Sequence, residues 1–275
     1  MRLDPRTHAV RNDIADIGLA DRVFAPHYAR PETLSCIAAD AILREAPSAD
    51  ARAVSQILHG EDFAVVDVTG DWAWGYCLHD DYVGHVPLAA LGPAAVADHV
   101  VHARAALMFA EPDIKAPAIG VLPMGARLAT RSEAGFLAIT GGFVHPRHAR
   151  PLADRESDSV AVAERLTGAP YLWGGRGGGG VDCSGLVQLA LGLCGVALPR
   201  DTDQQRSVGH DVDGALRRGD LVFFPGHVGL MVDGDHLLHA NAHWMAVVTE
   251  PLADVIARLR PNHDEPVLAR RRILP

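Results

Sequence analysis

The chain of 275 residues lacks the features that mark several special classes of protein. No run approaches the roughly 18 uncharged apolar residues of a membrane-spanning helix, so no membrane partner is predicted. Its 25 basic residues are outnumbered by 34 acidic ones, and the net charge of -9 argues against binding to nucleic acid. With 48% apolar and 21% charged residues, the composition excludes wholesale disorder and indicates an ordinary globular protein.

Cysteine is scarce as well, and the start of the chain lacks the marks of export. The four cysteines, Cys36, Cys77, Cys183 and Cys194, form neither a CxxC pair nor a dense framework, so we expect them to be reduced. Residues 1–8 have no apolar core and no small-residue cleavage site of a secretory signal. We therefore expect a cytoplasmic location for the protein.

An internal repeat organises the first half of the chain. Ala41–Pro47 is followed by Gly60, and the similar run Ala106–Pro112 is followed by Gly125, a period of 65 residues. Short β-type runs between Gly, Pro and Asp turns follow in each copy, which is typical of small barrels. The sequence predicts four parts: an N-terminal arm over 1–35, small β-domains over 36–95 and 96–150, and a third domain over 151–275.

The third domain is predicted to have an α+β fold. An amphipathic helix over 158–166 precedes a glycine-rich loop over 174–180, and a second helix starts at Asp182, a residue favoured at helix N-termini. Strand-like runs then flank a turn over 233–235. Helices followed by a series of antiparallel strands are the α+β pattern.

Cys183 is the candidate nucleophile. It lies in the first turn of the second helix, where unpaired N–H groups and the helix dipole favour a thiolate. A cysteine with a low pKa and access to substrate is nucleophilic. The alternative is that Cys183 is only a small buried side chain.

Two histidines could supply the base. If residues 233–235 form a three-residue loop, positions 229 and 239 pair, and His227 lies diagonal to His239 on one face, about 7–8 Å away. His227 could then accept the thiol proton while His239 orients it. A two-residue loop would place the histidines on opposite faces.

These residues stand in motifs that resemble a known family. Tyr171-Leu-Trp-Gly-Gly, Asp182-Cys-Ser-Gly, Gly226-His-Val-Gly229 and His239 together resemble the NlpC/P60 cysteine peptidases over residues 155–250. The resemblance implies a papain-like fold and cleavage of peptide bonds of the bacterial cell wall, without a metal or organic cofactor. It also implies the roles of nucleophile for Cys183, base for His227 and orienting group for His239. Tyr171 would help stabilise the oxyanion.

Motifs in the first β-domain indicate which type of NlpC/P60 peptidase the chain resembles. Gly60-Glu61, Gly70-Asp-Trp72 and Asp81–Pro87 resemble the bacterial SH3 family; the second copy, with Phe136 in place of Trp72, resembles it more weakly. SH3-like units before an NlpC/P60 domain resemble the γ-D-glutamyl-L-diamino acid endopeptidases of the dipeptidyl-peptidase VI type. There the first unit closes one end of the substrate groove. The resemblance implies substrate-binding roles for five residues: Glu61, Tyr82 and Asp182, which would hold the free amine of an N-terminal L-Ala, and Trp173 and Ser184.

The predicted function is hydrolysis of the γ-D-glutamyl–diamino acid bond of murein stem peptides with a free N-terminal L-Ala, in cell-wall peptide recycling. Two alternatives stay open. One is a wall-acting endopeptidase or amidase whose SH3-like units only target it to peptidoglycan. The other is a non-catalytic metal- or wall-binding module in which Cys183, His227 and His239 hold zinc. Arg176 departs from the family, where Ser or Thr is common, and the pattern favours neither a monomer nor an oligomer.

Overall fold

The computed structural model describes residues 3–274, so the first two residues of the predicted arm lie outside it. The chain divides into two units, Met1–Asp154 and Arg155–Pro275. Strands predominate and helices are few, in agreement with the predicted α+β class. Among the described residues, no helix combines the length and apolarity needed to cross a membrane.

The first unit begins with a short parallel strand pair, β1 (Ile14–Asp16) and β2 (His27–Ala29). An antiparallel sheet of seven strands follows, in the order β5-β4-β8-β7-β6-β3-β9. Its strands are β3 (Glu32–Cys36), β4 (Asp40–Arg44), β5 (Ala53–Leu58), β6 (Asp62–Thr69), β7 (Trp72–Cys77), β8 (Val83–Pro87) and β9 (Leu91–Pro93). Since β3 starts at Glu32, this sheet already includes the end of the predicted arm.

The second half of the first unit forms two smaller sheets. Three strands pair in the order β13-β10-β17 and five in the order β12-β11-β16-β15-β14. The strands are β10 (His99–Val101), β11 (Ala105–Phe109), β12 (Ala118–Pro123), β13 (Arg127–Leu128), β14 (Arg131–Glu133), β15 (Phe136–Ile139), β16 (Gly142–Val144) and β17 (Ala149–Pro151). Each half has its own buried apolar cluster, one around Phe63 and the other around Leu128.

The 65-residue period is visible in the backbone. β4 and β5 correspond residue for residue to β11 and β12 at that spacing. Gly60 and Gly125 both have a positive φ, +70° and +89°, which glycine adopts without steric cost. At Gly60 a Cβ would also stand 2.0 Å from the carbonyl oxygen of Arg127, so a side chain cannot be accommodated there.

The second unit contains the four α-helices found in the described chain and one main sheet. The elements are α1 (Ser159–Glu164), β18 (Arg176–Gly177), β19 (Gly180–Val181), α2 (Cys183–Leu193), α3 (Thr202–Gln205), β20 (His210–Asp211), β21 (Leu221–Phe224), β22 (His227–Met231), β23 (His236–Asn241), β24 (Ala246–Pro251), α4 (Leu252–Leu259) and β25 (Ala269–Arg272). The main sheet is antiparallel, in the order β20-β25-β21-β22-β23-β24.

Helices cover this sheet on both faces. α2 packs on β22 and β23, while Leu252 and Val255 of α4 join a core cluster with Val222 and Phe224. All four residues of β21 are buried, as expected for a strand with a covering on each side. This packing sets the first residue of α2 beside the first residues of β22, where the candidate catalytic side chains lie.

Candidate active site

The predicted nucleophile starts the central helix of the second unit. Asp182 caps α2, and its Oδ1 accepts a hydrogen bond from the backbone N–H of Gly185 at 2.7 Å. Cys183 is only 7% exposed. Its Sγ lies 3.8 Å from Oγ1 of Thr202 and accepts a hydrogen bond from the backbone N–H of Val228, the neighbour of His227.

Burial raises the pKa of the Cys183 thiol, and the nearby charge of Asp182 raises it further. Hydrogen bonds from Val228 and Thr202 and the charge of Arg200 act in the opposite direction but do not reverse the shift. The expectation of a thiolate stabilised by the helix start is therefore corrected, because desolvation outweighs the dipole here. Cys183 rests as a thiol and needs a base to become nucleophilic.

The hairpin between β22 and β23 has the register that the histidine pair requires. Leu230 pairs with Leu238, and the N–H of Val232 donates to the carbonyl of His236, which leaves 233–235 as a three-residue loop. Of the two loop lengths that the sequence left open, the structure has the three-residue one. Nε2 of His227 lies 2.8 Å from Nδ1 of His239, so the two rings share a hydrogen bond.

Both rings are held neutral. Burial, followed by the positive charge of Arg258, lowers the pKa of His227 to about 4. Burial, followed by the charges of His227 and Arg258, lowers the pKa of His239 to about 3. At neutral pH each ring therefore carries one proton, and its position depends on the neighbours.

Glu250 determines which ring nitrogens of His239 and His227 carry the protons. Its Oε1 lies 2.9 Å from Nε2 of His239, and an anionic acceptor there requires a proton on that nitrogen, ahead of the neutral amide of Asn241 at 3.2 Å. Nδ1 of His239 is then the acceptor, so Nε2 of His227 must donate to it. Nδ1 of His227 is left unprotonated, the state in which it can accept the proton of a thiol.

The sequence analysis missed Glu250, although the register contains the signal. β23 and β24 pair His239 with Val248, so Glu250 is diagonal to His239, as His227 is on the other side. Nη2 of Arg258 donates to Oε2 of Glu250 at 2.6 Å and fixes the carboxylate from α4. The contact between Arg258 and Glu250 depends on how α4 packs, so the alternation of residues in the strands does not predict it.

Asp182 and Ser184 are tied to an arginine that the sequence analysis also missed. Arg200, 1% exposed, donates to both carboxylate oxygens of Asp182, at 3.0 and 2.6 Å, and to Oγ of Ser184 at 2.8 Å. The N–H of Gly174 donates to Oδ2 of Asp182 at 2.9 Å. The polar atoms of these two predicted substrate-binding residues are thus engaged inside the protein, and Arg200 neutralises the charge that would attract an amine.

Tyr171 and Trp173 lie in the chain segment before the glycine-rich loop. Tyr171 bridges to Val181, and burial, followed by the charges of Cys183 and Asp182, raises the pKa of its hydroxyl to about 12. That hydroxyl is consequently a proton donor at neutral pH. Trp173 is 54% exposed, so its side chain can contact a ligand.

The other two predicted site residues belong to the first unit. Glu61 is buried, and its Oε2 accepts a hydrogen bond from the N–H of Leu58 at 2.8 Å. Tyr82 is buried within the apolar cluster of the seven-stranded sheet. Their predicted role in binding an amine stays a prediction.

The zinc-binding alternative does not suit the geometry at Cys183. The hydrogen bond between His227 and His239 occupies the two nitrogens that an ion between these rings would need. Within residues 3–274, the three metal-ligand donors that meet within 4.8 Å of one another belong to another cluster, Cys77, His79 and Asp80.

Comparisons with known proteins agree with this site. Residues 168–257 match the NlpC/P60 family profile, and residues 43–91 match the profile of the bacterial dipeptidyl-peptidase Sh3 domain. A dipeptidyl-peptidase 6 of Lysinibacillus sphaericus is 28% identical over 242 residues, which cover 74% of this chain and 86% of the relative. A gamma-D-glutamyl-L-lysine dipeptidyl-peptidase of Bacillus subtilis is 32% identical over 146 residues, 47% of this chain and 48% of the relative.

The fold has a counterpart among solved structures. The crystal structure of an NlpC/P60 family protein from Bacillus cereus superimposes with a TM-score of 0.75 at 22% identity and covers 89% of this chain and all of that one. The fold, the two profiles, the hydrogen bond between His227 and His239, and the contact of Cys183 with Val228 agree with one another. The chain belongs to the NlpC/P60 family of peptidases and carries a bacterial dipeptidyl-peptidase SH3 domain ahead of its catalytic domain.

Proposed function

We propose that the protein hydrolyses the γ-D-glutamyl–L-diamino acid bond of murein stem peptides that begin with a free L-Ala. The observation that carries the proposal is the joint presence of the NlpC/P60 and dipeptidyl-peptidase SH3 segments in one chain. The name of the B. subtilis relative, a gamma-D-glutamyl-L-lysine dipeptidyl-peptidase, supports the same bond, and the name of the L. sphaericus relative supports the release of a dipeptide.

The proposed mechanism follows from the protonation states of the site. Nδ1 of His227 removes the proton of Cys183 as the thiolate attacks the γ-carbonyl of D-Glu. The backbone N–H of Cys183 and the hydroxyl of Tyr171 would stabilise the oxyanion. The imidazolium then protonates the leaving amine of the diamino acid, and water, activated by the same imidazole, releases the L-Ala-γ-D-Glu dipeptide from the thioester.

We further propose a role in recycling of wall peptides in the cytoplasm. A free N-terminal L-Ala exists only after the stem peptide has been separated from its sugar, so a requirement for that amine would direct the enzyme to released peptides. The alternative, a wall-acting endopeptidase with an SH3 domain that only targets it, predicts equal use of free and sugar-linked peptides. The amine requirement therefore separates the two roles.

The amine requirement is measurable with two matched peptides. L-Ala-γ-D-Glu-L-Lys and its N-acetylated form are incubated with enzyme, and products are followed by mass spectrometry, with diaminopimelate in place of lysine in a second pair. Acetylation removes the positive charge of the peptide's amine, and the buried groups of the enzyme that would bind this amine then have no partner. We therefore expect kcat/KM to fall by on the order of a hundredfold or more. Equal cleavage of free and blocked peptides would reject the recycling role.

Variants of the SH3 domain test which residues recognise the free amine of the substrate. Because Arg200 already neutralises Asp182, we assign most of the attraction for the amine to Glu61, with Tyr82 as a hydrogen-bond partner. Glu61→Gln and Tyr82→Phe should each reduce the preference for the free amine while alkylation of Cys183 stays at the parental rate. Glu111→Gln, an exposed glutamate of the same unit, is the control and should leave the preference unchanged.

The pH profile should be broad and extend to low pH. Activity needs neutral His227, whose pKa is lowered to about 4, so kcat/KM should fall as the pH drops through about 4. The alkaline limb follows loss of the thiol proton of Cys183, whose pKa burial raises. Initial rates from about pH 3.5 to 10 test this, and an acidic limb near the ordinary histidine value of about 6.5 would contradict it.

Stability must be followed in parallel. The unfolded chain binds protons on His227 and His239 near pH 6.5, whereas the folded chain does so only near pH 4 and 3. Their contribution to stability is thus complete above about pH 6.5 and is lost as the pH falls toward the folded values. Circular dichroism at each pH separates loss of catalysis from unfolding.

A further inference from the structure

A second cluster of chemically active side chains lies in the first unit, in the turn between β7 and β8. Cys77 ends β7, and His79 and Asp80 follow it in the turn. One donor atom of each lies within 4.8 Å of the other two. The proposed hydrolysis assigns no role to these three residues.

His79 is the unusual member of the cluster. Its side chain is only 10% exposed, and both of its ring nitrogens are buried without forming a hydrogen bond. Nε2 lies 3.2 Å from Oδ2 of Asp80, and Nδ1 lies 3.8 Å from Oε2 of Glu61. A buried polar group that forms no hydrogen bond costs about 1–3 kcal/mol, which indicates that a bound ligand completes this cluster.

The spacing and chemistry of the donors indicate which partner. With metal–ligand bonds of about 2.0–2.3 Å, two ligands of tetrahedral zinc stand about 3.4 Å apart for nitrogen and oxygen, and about 3.6 Å for nitrogen and sulfur. The 3.2 Å between His79 and Asp80 is close to the first value. A thiolate with an imidazole favours zinc over magnesium or calcium, which prefer oxygen ligands.

We propose that Cys77, His79 and Asp80 bind one Zn²⁺, with water as the fourth ligand. Binding replaces the thiol proton of Cys77 by the metal and releases that proton to solvent, so affinity rises with pH. Both nitrogens of His79 are buried in the cluster, and its imidazole binds the ion through one of them.

The turn is built to hold such ligands. The N–H of Cys77 donates to the carbonyl of Tyr82 at 3.0 Å, and the N–H of Asp81 donates to the carbonyl of Cys77 at 2.8 Å. The N–H of Tyr82 donates to Oδ1 of Asp80 at 3.1 Å, which orients Oδ2 toward His79. Such supporting hydrogen bonds fix metal ligands in place. A bound ion would cross-link the end of β7 to the turn and so stabilise the first unit.

Direct metal binding tests the proposal, with a readout independent of peptidase activity. The full chain carrying Cys183→Ala is used, so that the active-site thiol cannot bind zinc. The protein is equilibrated with ZnCl₂, freed of excess metal and analysed for zinc by mass spectrometry. We expect about one zinc ion per chain and a higher melting temperature with zinc than with chelator.

Substitutions then assign the ligands. In the same background, Cys77→Ser, His79→Gln and Asp80→Asn should each weaken zinc binding about 10-fold or more, whereas Cys36→Ser and His59→Gln, controls in the same unit, should not. Cys77 is fully buried, so Cys77→Ser can fail to fold. In that case His79→Gln and Asp80→Asn still decide whether the cluster binds zinc. Cobalt(II) should give a thiolate-to-metal charge-transfer band that Cys77→Ser abolishes.

Two results would overturn the proposal. One is zinc well below one ion per chain in the folded parent, which would leave the cluster as a metal-free contact of His79 with Asp80 and Glu61. The other is stoichiometric zinc that survives both His79→Gln and Asp80→Asn.

Discussion

Replacing Cys183 by alanine is expected to lower kcat/KM by on the order of 10⁴-fold or more, because the thioester intermediate cannot form without the sulfur. The fold should persist, since Asp182 still caps α2 through Gly185 and the change removes one small atom. Hydrolysis of L-Ala-γ-D-Glu-L-Lys gives the activity, and circular dichroism checks the fold.

The matched control is Cys194→Ala, which removes a second buried thiol from the opposite, C-terminal end of the same helix. Burial raises the pKa of Cys194 to about 11, and Cys194 lies at the end of α2 away from Cys183, so it has no part in the proposed mechanism. Its variant should keep activity within about twofold to threefold once folded. A Cys183→Ala protein that retains activity within about tenfold of the parent would remove Cys183 from the mechanism.

Replacing Arg200 by methionine is expected to lower the free energy of unfolding by about 3–5 kcal/mol. The substitution leaves the carboxylate of Asp182 buried without its cation, and only backbone N–H groups and Ser184 remain as partners. Urea unfolding monitored by circular dichroism measures the change.

The control for this effect is an exposed ion pair of the same unit. Arg218 pairs with Asp158 and Glu164 at the surface, where each partner is about two-fifths exposed, so Arg218→Met should cost less than about 1 kcal/mol. Adding Asp182→Asn to Arg200→Met should recover part of the lost stability, because no unpaired charge is then buried. If Arg200→Met lowers the free energy of unfolding by less than about 1 kcal/mol, the Arg200–Asp182 pair does not stabilise the start of α2.

The sequence alone predicted the elements whose signals are local. The 65-residue repeat and the helix that starts after Asp182 each follow from neighbouring residues, namely glycine turns and a capping residue. Strand alternation predicted the hairpin turn at 233–235 but left its length open between two and three residues. Because strand register follows from loop length, the sequence predicted the approach of His227 to His239 only on the condition of the three-residue loop, which the structure has. The family resemblance added roles for these residues that periodicity cannot give.

Only the tertiary structure determined how the site is charged. Arg200 reaches Asp182 from a loop 18 residues further along, and Arg258 reaches Glu250 from α4, contacts that no local pattern encodes. Burial reversed the expected pKa of Cys183 because the cost of removing a charge from water depends on everything packed around it. The sequence therefore determined which groups take part and how strands align them, whereas packing determined which of those groups are charged.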